Sequence, residues 1–186
     1  TQLLAPDATP FDAFAPTDIR QAFSDYRRIQ SPEAVAYHTA QGWYPSRADR
    51  YTPTTRSYIE RGAQIPAVRY LQAQAAMRQM QAAWRAACDA AEADIFLAPT
   101  LPILPPTVAA TEDPAQSQGI REALLRLTFP FDMLGVPALT VPCGLVDGLP
   151  VGMQIIGRRD QDALVLRVGH AFQQRTNWHQ RRPPET

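Results

Sequence analysis

Nucleophilic catalysis needs a thiol or hydroxyl beside a base, and few residues of this sequence could form such a pair. The candidate bases are His38, His170 and His179. Cys143, between Pro142 and Gly144, would make a thiol hydrolase with His170 if folding brought the two within hydrogen-bond reach. The competing reading is an inert, buried Cys143 and a structural or surface His170, which the burial habit of cysteine favours. Ser24, Ser31, Ser46, Ser57 and Ser117 all stand outside any Gly-x-Ser-x-Gly elbow or glycine-rich loop. His38 and His179 lack metal-ligand spacing with each other or with a cysteine, so no metal is expected. Neither a Walker A loop nor a dinucleotide fingerprint occurs, and no cofactor is expected. All eighteen basic residues are arginine, so chemistry that requires a lysine cannot run on this chain alone. The residues offer a cleft candidate without a catalytic centre.

Composition narrows the setting. Eighteen acidic residues balance the eighteen arginines, which excludes a global field recruiting nucleic acid or an anionic membrane. No apolar run approaches the roughly 18 residues of a membrane span. Two distant cysteines, Cys88 and Cys143, are too few for a disulfide framework and point to a reducing cytoplasm. Thr1 to Pro10 show no basic stretch ahead of an apolar one, so no secretory leader is expected there. The 18 prolines are about twice the average usage of ~5% and read as many sharp loops.

The elements that must position any site follow from periodicity and punctuation. An irregular lead-in over 1–16 precedes a helix from Thr17–Asp18, with Ile19, Phe23, Tyr26 and Ile29 on one face. Ser31-Pro32-Glu33 predicts a helix restart, with Ser31 as N-cap and Pro32 at N1, stopping near Gly42. A loop over Trp43 to Pro53 leads to a short helix, Thr55 to Arg61, closed by Gly62 as a C′ glycine. The longest helix runs from Pro66 to about Ala93. Its seven-residue spacing of Tyr70, Met77, Trp84 and Ala91 fits a coiled coil, although the many alanines favour a core face.

Asp94 to Ala98 reads as a strand ending in the rigid loop Pro99-Thr100-Leu101-Pro102, either a binding wall or a plain crossover. Residues 107–119 are polar and expected to be mobile, before a helix near Ile120 to Leu127. Two strands, Ala138 to Leu145 and Pro150 to Ile156, flank the hairpin signal Asp147-Gly148. Pro142 and Gly144 predict an edge, a bulge or a close backbone approach. Asp160 is expected to cap a last helix, Gln161 to Arg175, with Leu164, Val168 and Phe172 inward. The fold class is α/β, a mixed β-sheet covered by helices. The chain reads as a single partial domain, with 1–54 as lead-in and 55–186 as its main body.

Three segments also carry a resemblance. Asp94-Ile95-Phe96-Leu97-Ala98-Pro99-Thr100-Leu101-Pro102 resembles the D-x-h-h-x-P-T-x-P segment of the amidase signature family, where h is hydrophobic. Phe129-Pro130-Phe131 with Gly135 to Gly144 is similar to its P-F-N-x-x-G-x-P-A-x-x-V-P-x-G stretch. Gly148 to Gly157 is similar to its G-L-P-x-G-x-Q-h-h-G strand, and Ile59-Glu60-Arg61-Gly62 fits the family's order upstream. The likeness is strongest over 94–172.

The resemblance implies the carboxy-terminal portion of the amidase-signature fold. The family's catalytic groups lie in its amino-terminal half: a Ser nucleophile, a second Ser in a cis peptide and a Lys base. That lysine must be partly desolvated to take a proton, and glycine-rich backbone N–H groups would hold the oxyanion. None has a counterpart here, so this chain alone is expected to be inactive, with no catalytic residue of its own. The implied partners are a small-molecule amide and the missing amino-terminal half. An apolar face left bare by that half would promote homodimerisation or aggregation.

Substrate-side positions implied by the resemblance are Thr100, Pro102, Thr128, Phe131, Asp132 and Gln154. Gln154, polar within an apolar strand, must bond something, and a tie to a neighbouring loop is favoured over ligand contact. Asp132 replaces the family's usual Asn, either capping the next turn, the preferred reading, or selecting a polar or cationic substrate. The tRNA-dependent amidotransferase members of the family share an Arg just before I-x-x-G and an Asp three residues before T-x-P. Ser57-Tyr58 and Leu125 stand there instead, so a general small-amide hydrolase is the better reading. An amidotransferase A-subunit fragment is one alternative. Another is a non-catalytic binding module that keeps the cleft wall, which predicts a monodisperse, cooperatively folding chain.

Overall fold

A computed structural model describes residues 19–183, so the lead-in and the helix start at Thr17–Asp18 lie outside the described residues. The chain divides into two compact units, Thr1–Ala87 and Cys88–Thr186.

In the first unit the expected restart at Ser31 does not occur. Helix α1 runs unbroken over Ile19–Ala40 with Pro32 inside it. The Ser31 hydroxyl donates back to the Arg27 carbonyl at 2.7 Å instead of capping a new helix. An interior proline costs a helix about 3 kcal/mol. Burial of Ile29 and Ser31 on either side of the break helps offset it. The helix ends as expected near Gly42, whose φ is +67°.

Helix α2, Pro53–Ala63, starts on Thr52, whose hydroxyl accepts from the Thr55 N–H. Gly62 is not its terminator; it lies within α2 and is buried. A Cβ at Gly62 would sit 2.6 Å from the Ser31 carbonyl oxygen, so the glycine lets the two backbones approach. The Tyr58 hydroxyl adds a bond to Gln30 Oε1 at 2.9 Å. Helix α3, Ala67–Ala90, buries Ala73 and Trp84, the core use of its periodicity.

The second unit holds strands β1 (Ile95–Pro99), β2 (Ala138–Val146) and β3 (Leu149–Gly157) in the order β1-β3-β2. Both pairings are antiparallel, so these three strands lack the mixed character expected of the sheet, within a helix-rich α/β fold. At the hairpin, Asp147 and Gly148 adopt φ of 51° and 78°, as a type I′ turn requires at both central positions. The β2–β3 register shifts between Pro142 and Gly144, leaving Cys143 in a bulge.

Directly paired residues share a sheet face. Leu139, Val141, Met153 and Ile155 thus line one face, where Val165, Val168 and Phe172 of helix α4 (Asp162–Arg175) pack. Asp160 does not cap this helix. Gln161 takes that position, and Asp160 adopts φ 64° in the turn before it.

Residues 107–119, expected to be mobile, contain a helical turn over Val108–Glu112. The Thr107 hydroxyl accepts from Ala110 N–H and the Asp113 carboxylate from Ala115 N–H. Such local side-chain bonds let a polar stretch order itself without a large apolar face. Helices α5 (Ser117–Leu125) and α6 (Phe129–Leu134) follow, and α6 buries Phe129, Met133 and Leu134.

Beyond β3, the Arg158 guanidinium donates to the carbonyls of Ala93 at 3.0 Å and Cys88 at 2.8 Å, and to Asp89 at 2.6 Å. It closes the carboxy-terminal end of α3 with a planar fork of donors that an ammonium lacks. No helix among the described residues is long and apolar enough to cross a membrane.

Gly62→Ala separates close approach from helix propensity. Propensity alone would stabilise α2 by about 1 kcal/mol, whereas the backbone clash should cost about 1–3 kcal/mol. Urea denaturation should show a lower midpoint; a higher one would contradict the approach described for α1 and α2.

Candidate functional site

The sheet face away from α4 is where the sequence-predicted residues gather. Pairing places Ala98, Thr140 and Gln154 abreast on it. Gln154 is 3% exposed, and its side-chain amide donates to two carbonyls, Pro99 at 3.1 Å and Leu127 at 2.9 Å. Both donors of a buried amide are thereby satisfied. Gln154 is the tie that its place in an apolar strand predicted, and it joins two segments far apart in sequence.

Thr100 follows Pro99 directly. Its N–H donates to the Gly152 carbonyl at 3.0 Å, extending the β1–β3 ladder by one bond. Its hydroxyl donates to Thr140 Oγ1 at 3.3 Å. Thr128 follows Leu127 and spends its hydroxyl on the Leu125 carbonyl at 3.1 Å. The Thr128 carbonyl in turn accepts from Phe131 N–H at 3.1 Å, opening the first turn of α6. Pro102 is exposed in the loop after β1, and Phe131 is half-buried in α6.

Asp132 departs from the capping expectation. Among the described residues its carboxylate accepts no hydrogen bond and meets no cation. The residue is exposed, yet apolar crowding pushes its carboxyl above the usual range. Of the predicted residues, Gln154 thus links the segments of Thr100 and Thr128 by direct bonds, while Pro102, Phe131 and Asp132 have no bond to that network. The sequence reading passed over Thr140, although alternation along β2 puts it on the face of Gln154.

The thiol pair does not assemble. Cys143 donates to the Val151 carbonyl at 3.6 Å, and partial burial raises its thiol, which disfavours the nucleophilic thiolate. His170 is exposed on α4, and among the described residues no hydrogen bond joins the two. No group of three or more His, Cys, Asp or Glu among the described residues could hold a metal ion.

The family model named Amidase matches residues 8–166, and this span contains the whole Gln154 network. The chain belongs to the amidase family. The protein AmiD of Mycobacterium tuberculosis (strain ATCC 25618 / H37Rv) is 37% identical over 142 residues, 76% of this chain and 30% of AmiD. The glutamyl-tRNA(Gln) amidotransferase of Synechococcus sp. (strain JA-2-3B'a(2-13)) has a catalogued A-type component that is 42% identical over 91 residues. That match covers 49% of this chain and 17% of the component. A solved amidase superposes with a TM-score of 0.72 at 28% identity, covering 84% of this chain and 36% of its own. A bacterial aryl acylamidase of the amidase signature enzymes gives 0.69 at 26% identity, covering 92% and 36%. The chain therefore spans about a third of the length of these amidases and of AmiD.

Within this amidase-family chain, Gln154→Leu should leave the Pro99 and Leu127 carbonyls without their donor. The expected loss is about 1–3 kcal/mol of unfolding free energy, read by denaturant titration. An unchanged stability would mean that solvent or another donor replaces the amide.

For Asp132 the sign follows from its raised carboxyl. The folded state binds that proton more tightly than the unfolded chain, so stability falls as pH rises through the carboxylate range. Asp132→Asn should lose this decrease. Its melting temperature should exceed wild type above the carboxylate range, with the difference shrinking at acid pH.

Proposed function

We propose that this chain forms the substrate-side wall of a hydrolase for small-molecule carboxamides. The observation that carries the proposal is the Gln154 amide. It bonds the backbones of two other segments, so that all three family-like stretches meet at one side chain. Thr100, Pro102, Thr128, Phe131, Asp132 and Gln154 are the residues proposed around the substrate, with Gln154 acting through the backbone it holds.

Hydrolysis in this reading uses a Ser-Ser-Lys triad outside this chain. A lysine base has no candidate here, since every basic residue is arginine, and a guanidinium stays protonated and cannot take up a proton. The likeness to the glutamyl-tRNA(Gln) amidotransferase supports the same class of amide chemistry. Ser57-Tyr58 and Leu125, standing where such amidotransferases carry Arg and Asp, favour a general amide over glutamine. The unpartnered Asp132 carboxylate favours a substrate with an N–H donor or positive charge near that wall.

Purified chain incubated with simple aliphatic and aryl amides should release no ammonia or amine. Turnover that persists in both Cys143→Ala and His170→Ala would overturn the external triad. Turnover abolished by Cys143→Ala would instead point to thiol chemistry. Adding the protein segment that carries the Ser-Ser-Lys set should restore hydrolysis. Failure of that complementation, with a monodisperse and cooperatively folded chain, would favour a binding module.

A further inference from the structure

The Thr100–Thr140 pair has a construction that an ordinary exposed threonine lacks. Thr100 leaves the end of β1 and Thr140 stands in β2, on opposite sides of the central strand. Both side chains pack over Gly152. A Cβ there would lie 2.9 Å from Thr100 Oγ1 and 3.0 Å from Thr140 Cγ2. The absence of a side chain at Gly152 lets the two hydroxyls meet across a strand.

The hydrogen inventory gives the pair a direction. Thr100 O–H is spent on Thr140 Oγ1. Thr140 keeps its own O–H, and no other bond of that hydroxyl is present among the described residues. A hydroxyl that accepts one hydrogen bond becomes a better donor for the next. Thr140 is exposed, on the sheet face opposite α4 and in register with Gln154. The arrangement therefore aims one polarised donor outward beside the wall that Gln154 holds.

We propose that Thr140, oriented by Thr100 over Gly152, is a specificity-determining residue. It donates a hydrogen bond to an ether or carbonyl oxygen on the non-reacting part of an amide substrate. The assignment rests on the amide-hydrolase reading, and it leaves the bond-breaking step to other groups.

The test compares methoxyacetamide with butanamide, similar in shape, of which only the first carries an acceptor oxygen in its chain. Each is assayed with the complete, triad-bearing enzyme as wild type, Thr140→Val and Thr140→Ser. Valine keeps the β-branched shape at an exposed strand position, and circular dichroism checks the fold. The methoxyacetamide-to-butanamide ratio of kcat/KM should fall roughly 2- to 12-fold in Thr140→Val, the range of one neutral hydrogen bond. The change should appear in KM and leave kcat in place, and Thr140→Ser should restore the ratio. An unchanged ratio in a folded Thr140→Val enzyme sinks the Thr140 assignment while leaving amide hydrolysis standing. If wild type hydrolyses neither amide, the amide-hydrolase reading falls, and the Thr140 assignment falls with it.

Discussion

A glutamine in the centre of a three-stranded sheet sets the terms for everything around it. Strand β3 is paired on both sides, so its backbone groups are committed to the ladder and cannot serve a buried side chain. An amide at that position must find carbonyls from outside the ladder or bear a large desolvation cost. Gln154 finds them at Pro99 and Leu127, 55 and 27 residues away in sequence. Satisfying one side chain thus brings the exit of β1 and the entry to α6 to the same strand. The opposite face has the simpler task of burying Val141, Ile155 and Val165 against one another.

This division between a polar and an apolar face explains which features were legible in the sequence. The Asp147-Gly148 hairpin, the strands beside it and the inward side of α4 depend on local chemistry, so periodicity and turn residues sufficed. The bulge was readable because Pro142 and Gly144 disturb a ladder wherever they occur. Four features misled for a shared reason. Ser31-Pro32 and Gly62 carry the marks of helix ends, yet the packing of α1 against α2 turns them into interior residues. Asp160 was read as a cap, but the turn before α4 takes it into the left-handed region. Residues 107–119 looked too polar to order, and short-range side-chain bonds order them.

The site was legible in the same uneven way. Gln154 was readable because a lone amide in an apolar strand has to be bonded. Asp132 was not, because capping depends on the orientation of a short helix that no local pattern reveals. Thr140 escaped because a threonine in a strand is ordinary by composition; only the register of three strands and the bare Gly152 give it a neighbour. Family membership supplies the class of chemistry, while the roles of individual residues come from such placements.

The sheet order has a consequence for how this chain meets copies of itself. Among the described residues both β1 and β2 are edges, and an open edge is a template for another strand. The two are not equally protected. Along β2, Pro142 removes a donor and the bulge at Cys143 breaks the regular spacing. Along β1, Ile95 to Ala98 form an uninterrupted row, with Leu97 41% exposed and no proline before Pro99. Unwanted strand-to-strand pairing between molecules would therefore start at β1, and a single charged residue at Leu97 would be the smallest change to guard that edge.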